Sequence, residues 1–125
     1  MAEKLTNLQL SIRRLLIKIG IRVDLDGFDY LVSAVELAIK DAELAKKLCD
    51  GLYGRVAEKY NTKAYCVERS IRSAIEKAYV HRGLQEVNKL FNTQIIDENK
   101  RPSSGRFIRI LATAYNMNLV DIPTA

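Results

Sequence analysis

The sequence predicts a compact all-α domain of six to seven helices, and three observations carry that prediction. Apolar residues recur at three- and four-residue spacing almost throughout, which is the period of an amphipathic helix. The β-branched alternation of a half-buried strand is nearly absent. Only two prolines occur, Pro102 and Pro123, and both lie late, so little interrupts a helical pattern before them. The chain of 125 residues has the size of one ordinary domain. Residues 1–125 are therefore read as a single unit, with a core over about 5–120 and a short tail at each end. No internal repeat or low-complexity segment is present.

The elements follow in order. Residues 4–19 read as the first helix, with Leu5, Leu8, Ile12, Leu15, Leu16 and Ile19 on one side and Gly20 as its stop. The next residues, IRVDLD, form a short connection that runs extended. Residues 28–40 are the second helix, using Leu31, Val35, Leu37 and Ala38. Residues 41–49 make a short third helix, punctuated by Asp50-Gly51. Residues 52–60 form the fourth, with Leu52, Val56 and Ala57 inward, and Asn61 suits the turn that follows. Thr62 is an N-cap type for a fifth helix reaching about His81, where Gly83 breaks the pattern. Residues 84–91 are the sixth helix. A polar loop around KRPSSG covers 92–104, and residues 106–115 form the last helix with Phe107, Ile110, Leu111 and Ala114 for packing.

Composition narrows the function. The chain is 48% hydrophobic and 28% charged, with a net charge of +5. The charge is segregated: residues 24–50 hold seven acids against three lysines, whereas 62–82 hold five bases against two acids and 98–109 hold four bases against one acid. Such a distribution builds a one-sided field suited to a polyanion. Cys49 and Cys66 stand far apart without metal-ligand spacing, and His81 is the sole histidine, so neither a disulfide framework nor a zinc site is expected. That usage fits a reducing, cytoplasmic compartment. No apolar run approaches the about 18 residues of a membrane helix, and MAEKLTNLQL lacks the form of a signal peptide. With a single histidine and no partnered nucleophile, no enzyme is expected. GRFIRI has no phosphate-loop pattern, so no nucleotide or other cofactor is expected either. His81 suits a dipole contact at a helix C-terminus, and Cys49 suits a small core position. Tyr53, Tyr60 and Tyr79 are expected at core edges.

The fifth helix is the most informative stretch. At about 100° per residue, Ala64, Val67, Ile71, Ala74, Ile75 and Ala78 fall in one arc, the core face. Tyr65, Cys66, Arg69, Arg72, Ser73 and Glu76 fall opposite, with Glu68 at the margin. Together with the short helix before it, this is the pattern of a helix-turn-helix whose second helix lies in a DNA major groove. Arginine can bond guanine O6 and N7 together, and glutamate can accept from the cytosine amino group, so Glu68, Arg69 and Arg72 favour G·C-containing sites. Lys59, Thr62 and Lys63, at or before the helix start, suit a phosphate. A solvated helix offers a plainer reading of the same charges: Glu68 and Arg72, and Arg72 and Glu76, stand at i,i+4 spacing and could pair with each other.

The segments SIRRLLIKIGI, GFDYLVSAVELAI, AEKYNT, VERSIRSAIEKAY and RPSSGRFI resemble the C-terminal DNA-binding effector domain of the stage-zero sporulation protein A response-regulator family, over about residues 8–120. The resemblance implies a six-helix domain (plus short elements) that binds double-stranded DNA at a box related to TGTCGAA, often in tandem, where a homodimer can form, and that contacts RNA polymerase sigma factor. It implies base contacts from Glu68, Arg69 and Arg72, with Tyr65, Cys66 and Ser73 on the same face. Phosphate contacts are expected from Lys59, Thr62, Lys63 and the loop residues Lys100, Arg101, Ser103, Ser104 and Arg106. Pairing is expected through Phe107, Ile108, Leu111 and Tyr115. The chain departs from the family at several points. Tyr65-Cys66 stands where Ser-Arg is usual, Ser73 where His is, Arg106 where an acid is, and Gly54 where Pro is. The missing arginine predicts a weakened or altered preference for the box. A rival function, a protein-interaction module of the same fold that binds sigma factor or a related regulator, is favoured by Tyr65 and Cys66 and disfavoured by the retained Glu68, Arg69 and Arg72. The family's receiver domain has no counterpart in these residues.

Overall fold

The computed structural model describes residues 5–123, with backbone alone at 48–50. Seven α-helices and one π-helical turn follow in chain order: α1 Asn7–Ile19, α2 Asp26–Lys40, α3 Ala42–Lys46, the π turn Leu48–Tyr53, α4 Gly54–Lys59, α5 Ala64–Val80, α6 Gln85–Phe91 and α7 Ser104–Asn116. No strand occurs among the described residues, so the all-α reading holds.

Local chemistry sets most boundaries. Thr6 Oγ1 accepts from Gln9 N at 3.1 Å while Thr6 N donates to Gln9 Oε1 at 3.0 Å. This reciprocal capping box starts α1 at Asn7, later than expected. The helix ends at Gly20, whose φ of +102° is a left-handed conformation that side-chain-bearing residues rarely adopt. Asp41 starts α3 by accepting from Glu43 N and Leu44 N.

The expected third helix and its Asp50-Gly51 stop are corrected. Here α3 ends at Lys46, and Asp50 and Gly51 lie inside a wide helical turn. Leu52 N donates to Lys47 O, five residues back, at 2.9 Å. A Cβ on Gly51 would crowd the side chains of Lys47 and Leu44, which is why the turn closes around a glycine rather than breaking there. Cys49 lies outside the described side chains. The N-cap of α5 is also corrected from Thr62 to Lys63, which makes no side-chain cap bond. Asn61, at φ +54°, reverses the chain, and Thr62 N donates back to Ala57 O at 2.9 Å. Thr62 thus belongs to the close of α4. The last helix begins two residues early because Ser103 Oγ accepts from Arg106 N at 3.2 Å.

The core is one cluster to which every α-helix contributes. Helix α2 lies at its centre and packs on both α5 and α7. Gly27 permits the closest approach: a Cβ there would overlap the Ser70 carbonyl and touch Ala74 Cβ, so α2 lies directly on the backbone of α5. Ile12, Leu16, Leu31, Val35, Val67, Ile71, Ile75, Phe107, Ile108 and Leu111 are fully buried. Tyr53 is buried as well, deeper than a core-edge position, while Tyr60 and Tyr79 are half-buried.

This packing corrects the expected pairing surface. Phe107, Ile108 and Leu111 are 0% exposed and Tyr115 is 5% exposed. The apolar stripe of α7 faces α2 and the core, so those four residues have no free surface with which to meet a second copy.

Candidate functional site

Helices α4 and α5 are joined by the four residues Tyr60–Lys63, turned by left-handed Asn61. The turn is fixed from the side. Tyr60 packs edge-on against Tyr30 with ring centroids 5.1 Å apart, and its hydroxyl lies 3.3 Å from Ser33 Oγ. Burial, and then the nearby Asp26 carboxylate, raise the Tyr30 hydroxyl above its ordinary 10.0.

The wheel of α5 divides as expected. Val67, Ile71, Ala74, Ile75 and Ala78 are buried, and Ala64 is half-buried. Tyr65, Arg69, Arg72, Ser73 and Glu76 are exposed, while Cys66 and Glu68 are half-buried. The exposed residues form a ridge along the helix, beginning with Tyr65 at 63% exposure. Cys66 is a free thiol.

The ridge has two flanks. On one side, Arg69, Ser70 and Ser73 border a groove completed by Leu25, Asp26 and Gly27 at the start of α2. On the other, Glu68, Arg72 and Ile75 border a cleft of about 170 Å³ closed by Arg101, Pro102, Ser103 and Ser104. The loop before α7 is therefore fastened along α5. Arg101 Nη1 lies 3.2 Å from Glu76 Oε2. Ser104 Oγ donates to Glu68 Oε2 at 3.1 Å, and Tyr79 OH donates to Glu98 O at 3.0 Å. Glu68 Oε1 also stands 3.8 Å from Arg72 Nε. Of the two expected i,i+4 pairs, then, the first forms loosely, and Glu76 turns instead to the loop.

Most of the predicted site residues come together on this surface, but not all in the predicted manner. Lys63, Lys100 and Arg101 are exposed. Lys59 is exposed but tethered, with Nζ 3.4 Å from Ser33 Oγ and 5.5 Å from the Tyr60 ring centre. Thr62 is half-buried in the turn. Arg106 Nη2 donates to Ile95 O at 3.1 Å, and Ser103 is occupied as the α7 cap. Ser104 is corrected: it is only 7% exposed and its hydroxyl is bonded to Glu68, so it is not a free phosphate ligand.

Two residues that sequence reasoning did not single out shape the site. Asn88 on α6 holds the loop by accepting from Ile95 N and Ile96 N, each at 2.8 Å, and by donating to Ile96 O at 3.0 Å. Pro102 is buried against α5. A proline in a basic loop is a visible signal of fixed backbone. Asn88 sits in a short amphipathic helix and carries no signal that points to a loop seven and eight residues later.

No helix among the described residues is long and apolar enough to cross a membrane. Residues 12–115 match the family described as Sporulation initiation factor Spo0A C terminal. That stretch runs from within α1 through most of α7 and so includes the ridge, both its flanks and the loop. With this match over most of its length, the chain belongs to the Spo0A C-terminal family, a family of DNA-binding effector domains in sporulation transcription and not of enzymes.

Proposed function

We propose that α4, the Tyr60–Lys63 turn and α5 act as a helix-turn-helix, with α5 entering the major groove of double-stranded DNA. The observation that carries the reading is the exposed ridge of Arg69 and Arg72 on a helix whose opposite face is buried in the core from Val67 to Ala78. An arginine reaching from such a ridge can bond guanine O6 and N7 together. Lys63 and Lys59 beside the turn, and Lys100 and Arg101 in the loop, are the cations that would meet phosphates and set the register. Tyr65 and Cys66 lie at the N-terminal end of α5, where helix-turn-helix proteins usually meet base edges. Tyrosine and cysteine there, instead of a charged bidentate group, lower the preference for TGTCGAA.

The test is binding of the purified chain to labelled duplexes carrying TGTCGAA, a scrambled box or two tandem boxes, at two salt concentrations. The reading expects a preference for a related box and a steep loss of affinity with salt. It further expects the double substitution Tyr65→Ser, Cys66→Arg to tighten binding to TGTCGAA by about 1–3 kcal/mol. Stronger binding to tandem boxes would follow from a pair of copies acting locally. Equal and weak binding to every duplex would favour a second reading, a protein-interaction module that meets sigma factor or a related regulator. The large, mostly exposed ring of Tyr65 supports that alternative, since aromatic residues are enriched at protein interfaces.

A further inference from the structure

A carboxylate on a DNA-facing helix meets repulsion from the phosphate backbone, so what fixes its position matters. Glu68 is held by one hydrogen bond and stands close to one cation. Its Oε2 accepts from Ser104 Oγ at 3.1 Å, and its Oε1 stands 3.8 Å from Arg72 Nε. Ser104 is buried in the first turn of α7 and cannot follow Glu68 if that side chain swings outward. The α7 turn is itself immobilised, by Ser103 capping Arg106 N, by Arg106 on Ile95 O and by Arg101 on Glu76. Three side chains thus stand in line, from a fixed buried hydroxyl through a half-buried carboxylate to an exposed guanidinium. An arginine drawn toward a carboxylate on its Nε side keeps its two terminal amino groups available as the free fork. That fork is the end-on arrangement suited to guanine O6 and N7.

We infer that Ser104 is a positioning residue for base selection: acting through Glu68, it sets the direction of Arg72, so that the start of α7 takes part in choosing a G·C pair without touching DNA. Glu68 is then an acceptor for Ser104 and Arg72 and not for a cytosine amino group. The inference rests on the reading of α5 as the groove-entering helix.

The experiment measures binding of the full chain and of Ser104→Ala, Ser104→Thr, Glu68→Gln and Arg72→Ala to the preferred duplex and to every single-base-pair variant of it, at one salt concentration. Arg72→Ala is expected to flatten the preference at one base pair. Ser104→Ala should flatten it at that same pair by about fivefold, the low end of what one bidentate contact discriminates. Its affinity for unrelated duplexes should stay at the parent value. Ser104→Thr, which keeps the hydroxyl, should restore the preference. A purely structural role for Ser104 would instead weaken every duplex alike, with a lower Tm, and would overturn the inference. Glu68→Gln tests the same line at a half-exposed position that does not threaten folding. It should flatten the Arg72 pair, whereas loss of preference at a different pair would mean that Glu68 reads a base itself. If Arg72→Ala flattens a pair while Ser104→Ala and Glu68→Gln do not, the positioning role fails and the groove-entering helix stands. If Arg72→Ala changes no preference at all, the positioning role falls, and the groove-entering helix falls with it only if Arg69→Ala changes none either.

Discussion

Helices α5 and α7 are both amphipathic, both carry arginines and both adjoin the candidate site, yet they do opposite work. Of the 17 residues of α5, five are buried, and the rest of its circumference leaves a long exposed ridge. Of the 13 residues of α7, eight are buried, so it behaves as a central strut. The difference lies in what packs on them. Helix α2 meets α5 through the gap at Gly27 and covers one face, whereas α7 is inserted against α2, α5 and α6. A stripe of Phe, Ile and Leu on a terminal helix can look like a pairing surface in sequence and still be core. A ridge of arginines is presented outward only when the helix is anchored by its opposite face, as α5 is through Val67, Ile71, Ala74, Ile75 and Ala78.

The largest expected effect tests the buried side of that contrast. Phe107→Ala removes a fully buried ring and should cost about 3–5 kcal/mol of stability. Urea unfolding followed by circular dichroism would register it. A variant that kept its stability and lost only tandem-site binding would restore α7 as a pairing helix. On the exposed side, Arg69→Ala or Arg72→Ala should cost about 1–3 kcal/mol on the preferred duplex and relax the base preference. Helical content and Tm should stay near those of the parent. If both variants bound like the parent, the ridge of α5 would be a solvated surface and no more.

The fastened loop gives a finer contrast within the site. Replacing Lys100 and Arg101 with Ala should weaken all duplexes about equally and lower the salt slope by roughly one for each lost phosphate contact. Titrating binding against salt separates this from the Arg72 effect, which should be sequence-dependent. An unchanged slope would remove the loop from the interface.

The smallest effect lies at the far end of α7. Tyr115 OH and Ser11 Oγ are 2.7 Å apart, and Ser11 Oγ donates onward to Asp121 O at 2.8 Å, so Tyr115 is the donor to Ser11. Burial raises the Tyr115 hydroxyl above 10.0. In alkaline solution the unfolded chain therefore releases this proton first, and the native state binds more protons. Stability is full below pH 10 and falls as the pH rises from there through the higher native value. Tyr115→Phe should lose about 1 kcal/mol at neutral pH with the hydrogen bond, and should show a shallower alkaline decline in Tm than the parent. Identical alkaline profiles would mean that Tyr115 ionises equally in both states.

Sequence alone determined the all-α class, the number and rough order of helices, and the division of α5 into a core arc and an arginine-bearing face. Those are local matters: a 3.6-residue period and turn residues such as Gly20 and Asn61 act within a few positions of themselves. The family likeness, too, was carried by contiguous segments. Only tertiary structure decided which apolar faces were shared. It buried Phe107, Ile108, Leu111 and Tyr115, because α2 needs a second helix on the side not covered by α5. It joined Ser104 to Glu68, 36 residues apart, and Asn88 to the loop at Ile95 and Ile96. It also turned Asp50-Gly51 into part of a helical turn by packing Gly51 against Leu44 and Lys47. A helical period says which side of a helix is apolar. It does not say what lies against that side, because partners are chosen by long-range packing, which no local pattern encodes.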